Sequence, residues 1–337
     1  MTAPTPHPAG QRVLLLGATG TIGQATAQAL RRQGHQVVCL VRPRSGVAGR
    51  LGAAAAGALL PGCTVRIGDP TQAASIVRDG MAGERFDALV SCMASRSGAP
   101  ADAWAIDHGA TLQALQAAQQ QGVPHMVLLS ALCVQKPLLA FQQAKLAAET
   151  ALIASGLRYS IVRPTAFFKS LSGQVERLRR GQPFLLMGDG RLTACKPISD
   201  RDLGDFIAGC LTDPRRHDRV LPIGGPGPAI TPREQGERLF ELLGRKPRFR
   251  EVPVWVLDGV IGGLRLASRL RPSLADKAGL AQIGRYYATE SMLVWDAAQG
   301  RYDEDATPSF GSDTLWDHYA ALARGEAAPE RGDHAVF

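Results

Sequence analysis

Apolar runs and helix-like repeats alternate along the first half of the chain. Residues 13–16 are continuously apolar and end at a glycine, which is typical of a strand buried on both faces of a parallel sheet. Residues 22–33 then repeat apolar positions at helical spacing and stop at Gly34. The same patterns predict strands at 36–41, 64–67, 87–91, 125–130 and 159–162, and helices at 104–121 and 138–155. This alternation predicts right-handed βαβ units and a Rossmann-type, doubly wound parallel sheet of the α/β class.

The alternation weakens after residue 163. Helices are predicted at 167–180 and 202–211, a strand at 184–187, and mostly helices beyond residue 231. We therefore expect a Rossmann domain at 12–163 and a smaller, mostly helical substrate region at 164–324, woven onto the sheet. The polar ends, 1–11 and 325–337, are expected to be disordered tails.

Composition narrows the function classes. The formal net charge is +8, but the densest arginine runs, 177–180 and 245–250, are not interleaved with aromatics, so no nucleic acid is expected. Solvated helix faces, an anionic ligand or anionic lipid remain as explanations. The six cysteines have no metal-ligand spacing, so no metal is expected. The first residues lack a signal-peptide pattern, and we expect a cytoplasmic protein.

A glycine-rich loop lies between the first strand and the first helix. It reads Gly17-Ala-Thr-Gly-Thr-Ile-Gly23. Glycine at these positions lets the backbone turn sharply and approach a pyrophosphate, while the helix N-terminus offers free N–H groups. The context favours a dinucleotide site over a merely structural turn. The expected cofactor contacts here are Gly17, Thr19, Gly20, Thr21, Ile22 and Gly23.

The second strand ends in arginines where NAD-specific sites usually carry an acidic residue. Arg42 is the better candidate for a 2′-phosphate and Arg44 the second, because a guanidinium binds phosphate bidentately. The alternative is that both merely face solvent. NADP(H) is therefore the expected cofactor.

Further expected contacts follow the later strands. Asp69 is expected to accept from the adenine amino group, although a turn role beside Pro70 competes with it. Ser91 is expected along the inner ribose. Ser130 and Pro164 are expected to contact the cofactor at the ends of the fifth and sixth strands. Lys145, on the helix between these strands, is expected to hold the nicotinamide ribose and completes the cofactor-binding set.

The catalytic motif of short-chain dehydrogenases is incomplete. Those enzymes usually carry Tyr-x-x-x-Lys on the helix after the fifth strand, whereas here Phe141 stands in the tyrosine position and Lys145 is kept. Without the phenol, alcohol–ketone chemistry lacks its proton donor. Either hydride goes to a C=C bond, or the protein senses NADP(H) without catalysis.

These motifs together resemble one family. The chain is similar, over about residues 12–325, to the NADPH-dependent divinyl chlorophyllide 8-vinyl reductases, atypical members of the extended short-chain dehydrogenases. The likeness is carried by the glycine loop, Val41-Arg-Pro-Arg44, Ser91-Cys-Met-Ala-Ser-Arg96, Phe141-Gln-Gln-Ala-Lys145, Arg163-Pro-Thr-Ala-Phe-Phe-Lys-Ser-Leu171 and Lys196-Pro-Ile-Ser-Asp-Arg-Asp-Leu203.

The resemblance implies reduction of the 8-vinyl group of divinyl chlorophyllide or protochlorophyllide to ethyl, with NADPH as hydride donor. It makes Lys145 and Lys169 the candidate catalytic residues, although residues 167–169 also suit a plain helix start. The isoflavone and phenylcoumaran reductases and an NADP(H)-sensing regulator are the alternatives. An apolar cleft including Phe168, Phe184 and Leu186 is expected to take the macrocycle, and Lys169, Arg177 or Lys196 its carboxylate.

The segment 255–270 has two interpretations. It combines apolar residues with Arg265 and Arg269, which suits a helix lying at the surface of the photosynthetic membrane. A buried helix of the substrate region is the alternative.

Overall fold

The structure is a computed structural model that describes residues 10–45, 51–271 and 274–326. Most of the two predicted tails, residues 1–9 and 327–337, lies outside the described residues. The strands are β1 (Arg12–Leu16), β2 (Gln36–Val41), β3 (Arg44–Ser45), β4 (Leu51–Gly52), β5 (Thr64–Ile67), β6 (Ala88–Ser91), β7 (His125–Leu129), β8 (Arg158–Pro164), β9 (Phe184–Met187), β10 (Arg219–Ile223), β11 (Phe249–Val252), β12 (Val294–Asp296) and β13 (Arg301–Asp303). The helices are α1 (Thr21–Arg32), α2 (Ala53–Ala58), α3 (Ala73–Ser75), α4 (Pro100–Ala103), α5 (Thr111–Gln120), α6 (Ala140–Ile153), α7 (Phe168–Leu171), α8 (Val175–Arg179), α9 (Asp200–Gly209), α10 (Pro232–Leu242), α11 (Val254–Ser268), α12 (Leu274–Thr289) and α13 (Leu315–Arg324).

Seven parallel strands form the main sheet, in the order β10-β8-β7-β6-β1-β2-β5. The chain runs outward from β1 in one direction through β2 and β5, and in the other from β6 onward. The reversal between β1 and β6 is the topological switch point at which such sheets bind their ligands. The predicted Rossmann-type, doubly wound α/β fold is confirmed.

Helices cover both faces of this sheet because its strands are apolar on both faces. In β1, Val13 and Leu15 belong to a core on the side of α1 and α9, whereas Leu14 and Leu16 belong to a core on the side of α5 and α6. All four side chains are fully buried. Each contributes about 1.5–3 kcal/mol through burial, so the sheet is a firm base for the loops at its carboxyl edge.

The C-terminal part has its own core but shares the main sheet. Aromatic and aliphatic residues of α8, α10, α13 and β9 pack together around the buried Tyr319. Strand β10, however, pairs in parallel with β8 and closes one edge of the main sheet. The division at residue 163 stays a prediction, and β8 itself runs across it.

The helix predicted at 167–180 is wrong in its continuity. It is two short helices, α7 and α8, separated at 172–174. At the end of α7 the Ser172 hydroxyl donates to the Phe168 carbonyl at 2.8 Å, and Gly173 follows before α8 begins.

Helices α11 and α12 form a hairpin that stands out from the rest of the chain. They pack on each other and are joined by an ion pair between Asp258 and Arg285. In α11 the described side chains are largely exposed, and Ile261 is the buried one. No helix among the described residues is long and apolar enough to cross a membrane.

Candidate active site

The glycine loop has the geometry of a phosphate cradle. Gly17 has a φ of +77°, and a Cβ there would lie 2.6 Å from the backbone of Cys92. A Cβ on Gly23 would lie 2.1 Å from the Gly17 carbonyl oxygen. Gly20, which precedes α1, provides no side-chain cap, so the first N–H groups of that helix are left for a ligand. The loop therefore fits the pyrophosphate of a dinucleotide.

Lys169 lies beside this cradle. Its Nζ donates to the hydroxyl of Thr21, the first residue of α1, at 3.0 Å. This contact brings a lysine 148 residues further along the chain to the phosphate end of the predicted site. The structure thus joins two sequence-predicted residues that spacing alone could not connect.

The predicted adenosine end lies at the carboxyl ends of β2 and β5. Arg42 and Arg44 follow β2 and are exposed, as a 2′-phosphate contact requires. Asp69 follows β5, where its Oδ1 accepts from the Thr71 N–H at 2.9 Å and from the Thr71 hydroxyl at 2.7 Å. The carboxylate therefore organises a turn, and its contact with adenine stays a prediction.

Lys145 lies on α6 and forms an ion pair with Asp107, Nζ to Oδ1, at 2.9 Å. The carboxylate of Asp107 is completely buried, and the lysine side chain is 12% exposed. Ser95 donates to the same carboxylate from its hydroxyl at 2.5 Å and from its backbone N–H at 3.2 Å. Lys145 is therefore not a surface lysine but one member of a buried polar cluster.

Asp107 is the residue that the sequence interpretation missed. The predicted helix 104–121 contains a wider π-helical turn, Trp104–Ala110, before α5 begins. Such turns are frequent at functional sites. Its position was signalled by the helical spacing, since Asp107 shares a face with the buried Ala103, Ala110 and Ala114. A carboxylate on an apolar helix face calls for a buried partner.

Phe141 occupies the position of the missing phenol. It is buried beside Ile283 and Tyr286 of α12, so the second helix of the hairpin lies next to α6. The Tyr286 hydroxyl donates to the Cys133 carbonyl at 3.1 Å, and burial raises the pKa of Tyr286. This phenol therefore stays protonated at neutral pH.

Three other predicted residues lie at the ends of their strands but are enclosed. Ser130 donates its hydroxyl to Glu149, which also forms a buried ion pair with Arg163. Ser91 is fully buried, and its hydroxyl has no partner within the described part of the chain. Pro164 is buried at the end of β8. Their contacts with a cofactor stay predictions.

The expected substrate cleft is wrong in several of its residues. Phe168, Phe184 and Leu186 are instead buried in the C-terminal core, where they pack with residues of α8, α10 and α13. Lys196 is buried as well, and its Nζ donates to the Thr307 carbonyl at 3.1 Å. These side chains were assigned to a cleft because they are apolar or basic, which describes a core equally well.

Arg177, another basic residue expected to meet the substrate carboxylate, is partly buried. Its Nε donates to the Pro183 carbonyl at 3.1 Å, which ties α8 to the following loop. Of the three residues expected to bind a substrate carboxylate, Lys169 is the one that lies at the glycine loop.

Comparisons with known proteins agree with this site. The family model described as NAD(P)H-binding matches residues 17–214. The divinyl chlorophyllide a 8-vinyl-reductase of Oryza sativa subsp. indica is 50% identical over 98% of this chain and 83% of its own length, and that of Zea mays is 49% identical over 96% and 82%. Both are described as chloroplastic.

A solved structure supports the fold. The complex of AtPrR2 with NADP+ and (+)pinoresinol has a TM-score of 0.68 at 17% identity, over 93% of this chain and 99% of that one. Three findings lead to one conclusion. They are the glycine cradle, the lysine that is kept without its tyrosine, and the similarity to the plant reductases over nearly the whole chain. The chain belongs to the NAD(P)H-binding family and, within it, to the divinyl chlorophyllide a 8-vinyl-reductases.

Proposed function

We propose that this protein reduces the 8-vinyl group of 3,8-divinyl chlorophyllide or protochlorophyllide to ethyl, in the synthesis of chlorophyll or bacteriochlorophyll. The observation that carries the proposal is the 50% identity to the rice reductase over 98% of the chain. NADPH, when bound, supplies the hydride. The residues described above would bind and orient the cofactor and the pigment and balance their charges.

The loss of the phenol is consistent with this reaction. Hydride addition to a terminal vinyl carbon delocalises charge into the conjugated ring and forms no alkoxide. A proton from water or from another side chain then completes the ethyl group. A phenol at position 141 is unnecessary for this reaction, and a buried phenylalanine takes its place. Lys145 keeps its expected role of holding the nicotinamide ribose.

The remaining residues divide between the two ends of the cofactor. Arg42 and Arg44 are proposed to hold the 2′-phosphate, Asp69 the adenine, and the glycine loop the pyrophosphate. Lys169 is proposed to act from the phosphate end, since its contact with Thr21 places it at that loop. From there it can meet a cofactor phosphate or the carboxylate of the pigment.

The test is direct conversion. Purified protein is incubated with NADPH and a 3,8-divinyl pigment, and we expect a blue-shifted Soret band and a two-dalton mass gain. The 3-vinyl group should stay untouched. If the protein binds NADPH but fails to oxidise it with any porphyrin tested, the non-catalytic NADP(H) sensor is the correct interpretation instead. Turnover of an isoflavone or phenylcoumaran substrate would favour that reductase group.

Lys145→Met tests the catalytic lysine. We expect near-complete loss of activity, and also a lowered melting temperature, because Asp107 would keep a buried charge without its partner. Activity is measured at a temperature at which circular dichroism shows the variant to be folded. Full activity in the folded variant would contradict the role.

We also propose a cytoplasmic protein that makes a weak peripheral contact with an anionic membrane through α11. Trp255 and Leu266, eleven residues apart and hence on one face of the helix, are 71% and 65% exposed, and Leu270 is 88% exposed. Exposed Arg265 and Arg269 accompany them. An aromatic, apolar stripe beside arginines fits the interface of an anionic bilayer.

Flotation with vesicles tests this contact. We expect salt-sensitive binding to vesicles of phosphatidylcholine and phosphatidylglycerol, and none to phosphatidylcholine alone. Trp255→Ser with Leu266→Ser should abolish it. Leu192→Ser, which alters an exposed leucine elsewhere, is the matched control. The opposite result is a parent protein that does not bind vesicles but forms a concentration-dependent dimer, which the double variant disrupts. In that case the partner of α11 is a second copy of the chain and not a membrane.

A further inference from the structure

A buried cluster joins the catalytic helix to the loop that follows β6. It consists of Ser95, Asp107 and Lys145, and its geometry is given by three contacts of 2.5, 2.9 and 3.2 Å to one carboxylate. We infer that Asp107 is the positioning residue of Lys145 and that Ser95 fixes Asp107 in turn. The inference deepens the proposed function, on which the role of Lys145 rests.

The orientation follows from the donors available. The ammonium group of Lys145 has three N–H donors and lies 2.9 Å from Asp107 Oδ1 in an ion pair. No second acceptor for Lys145 is found among the described residues, so two donors remain for the hydroxyls of the nicotinamide ribose. A long, flexible side chain loses rotamer freedom when it binds a ligand, and the carboxylate imposes that restriction before the ligand arrives.

The carboxylate is itself held from two sides. Both of its oxygens are occupied, Oδ1 by Lys145 and the Ser95 N–H, and Oδ2 by the Ser95 hydroxyl. The hydroxyl of Thr111 donates to the Asp107 carbonyl at 3.0 Å, within the π-helical turn and the start of α5. Asp107 therefore cannot follow the lysine if the lysine moves, which is what a positioning role requires.

The cluster also couples two parts of the cofactor site. Ser95 follows β6 at the switch point, where the inner ribose is expected, and Lys145 reaches the same region from α6. Both parts are anchored to a single buried carboxylate, which fixes their relative positions. The charges of Asp107 and Lys145 cancel, so the pair adds no net charge beside an apolar macrocycle.

The chain contains a matched control for this cluster. Asp102 accepts from the Ser97 N–H at 2.8 Å and from the Ser97 hydroxyl at 2.9 Å, in the same loop and on the preceding turn. It forms no ion pair with a basic residue within the described ranges. Asp102 thus has the serine half of the arrangement without the lysine.

The experiment compares Asp107→Asn with Asp102→Asn. NADPH affinity is measured by fluorescence titration. Turnover is measured separately, with a divinyl pigment as substrate. We expect Asp107→Asn to weaken NADPH binding at least about tenfold and to lower kcat further, because the unheld ammonium no longer meets the ribose. Asp102→Asn should stay within about twofold. Asp107→Glu, which keeps the charge, should recover part of the affinity.

A double-mutant cycle separates positioning from a structural role. If Asp107 acts through Lys145, the double variant Asp107→Asn, Lys145→Met binds NADPH no more weakly than Lys145→Met alone. Additive losses, or unchanged NADPH affinity in Asp107→Asn, would overturn the inference. If Asp107→Asn does not fold, Ser95→Ala and Asp107→Glu are each combined with Lys145→Met, and their NADPH affinities are compared in the same way.

The two proposals fail differently. If no pigment is reduced by the parent protein but NADPH binding shows the non-additive cycle, the proposed function is wrong and the positioning role stands. If pigment is reduced and the cycle is additive, the proposed function stands and the positioning role of Asp107 is wrong.

Discussion

Two regions of the molecule treat their apolar residues in opposite ways. In the main sheet, β1, β2 and β6 bury nearly every side chain, and a glycine loop closes against the backbone with no room for a methyl group. In the hairpin of α11 and α12, tryptophan and leucine side chains lie exposed, and glycines such as Gly262 have open space around them.

The difference separates what holds the cofactor site from what meets other molecules. The side chains of the sheet are buried and stabilise the fold, and the loops at the edge of the sheet are therefore held in fixed positions. The hairpin makes few contacts of its own on its outer face, so its apolar residues are available to a bilayer or a large ligand. The following predictions test this contrast, beginning with the largest effect.

Gly23→Ala should abolish NADPH binding. Its methyl group would lie 2.1 Å from the Gly17 carbonyl oxygen, and because both partners are backbone, the loop and α1 must move apart. We expect a loss of affinity of at least about a hundredfold and a lowered melting temperature. NADPH titration and thermal unfolding measure both. Near-normal affinity would show that the loop is not the tight cradle described.

Acid should destabilise the sheet region through His125. Burial, with His217 and Arg158 nearby, lowers the pKa of this histidine to about 4, against the opposing effect of Asp218. The unfolded chain therefore takes up the proton first. Stability from this group is full above about pH 6.5 and falls as the pH drops toward 4, by roughly 3 kcal/mol.

His125→Asn should flatten this dependence. The free energy of unfolding is measured by urea titration at several pH values between 7 and 4. The parent and the variant should differ in slope over this window, while His35 and His318, whose pKa values burial also lowers, contribute equally to both. Parallel curves would contradict the assignment to His125.

Arg42→Ala should affect cofactor choice but not stability. The side chain is exposed, and its proposed contact with the 2′-phosphate is worth roughly 1.5–3 kcal/mol. We expect the KM for NADPH to rise at least several-fold and that for NADH to change far less. Steady-state kinetics with both cofactors measure this. Equal losses for NADPH and NADH would reject the assignment.

Gly262→Ala in α11 should have the smallest effect, and of the opposite sign. Nothing lies within 4 Å of the added methyl group, and alanine is the better helix former. We expect a gain of about 0.4–1 kcal/mol, measured by thermal or urea unfolding. A marked loss would mean that the outer face of the hairpin packs against something within the molecule.

The sequence was sufficient for the sheet and the glycine loop because both rest on local pattern. Residues 13–16 and 36–41 had to be buried strands whatever surrounded them, and the loop between them had to turn. The break between α7 and α8 was not predicted, because residues 167–180 keep apolar positions at helical spacing across it. The contact of Lys169 with Thr21 joins residues 148 positions apart, which no local pattern predicts.

The buried polar cluster was beyond the same methods for a different reason. Lys145 could be recognised from its motif, but its partner comes from a helix 38 positions earlier, and only the packing of two helices brings them together. The substrate cleft failed because apolar character does not distinguish a core from a cleft. Phe168 and Phe184 satisfied the pattern and lie in the interior.

The position of β10 at the edge of the main sheet has a consequence for the synthesis of the chain. When residue 164 has left the ribosome, six strands of the sheet exist, but β8 still has an unpaired edge that waits for β10, Arg219–Ile223. At about 5–20 residues per second this open edge persists for several seconds. An exposed edge strand is where chains pair with one another, so slow translation between residues 164 and 219 should favour aggregation of nascent chains.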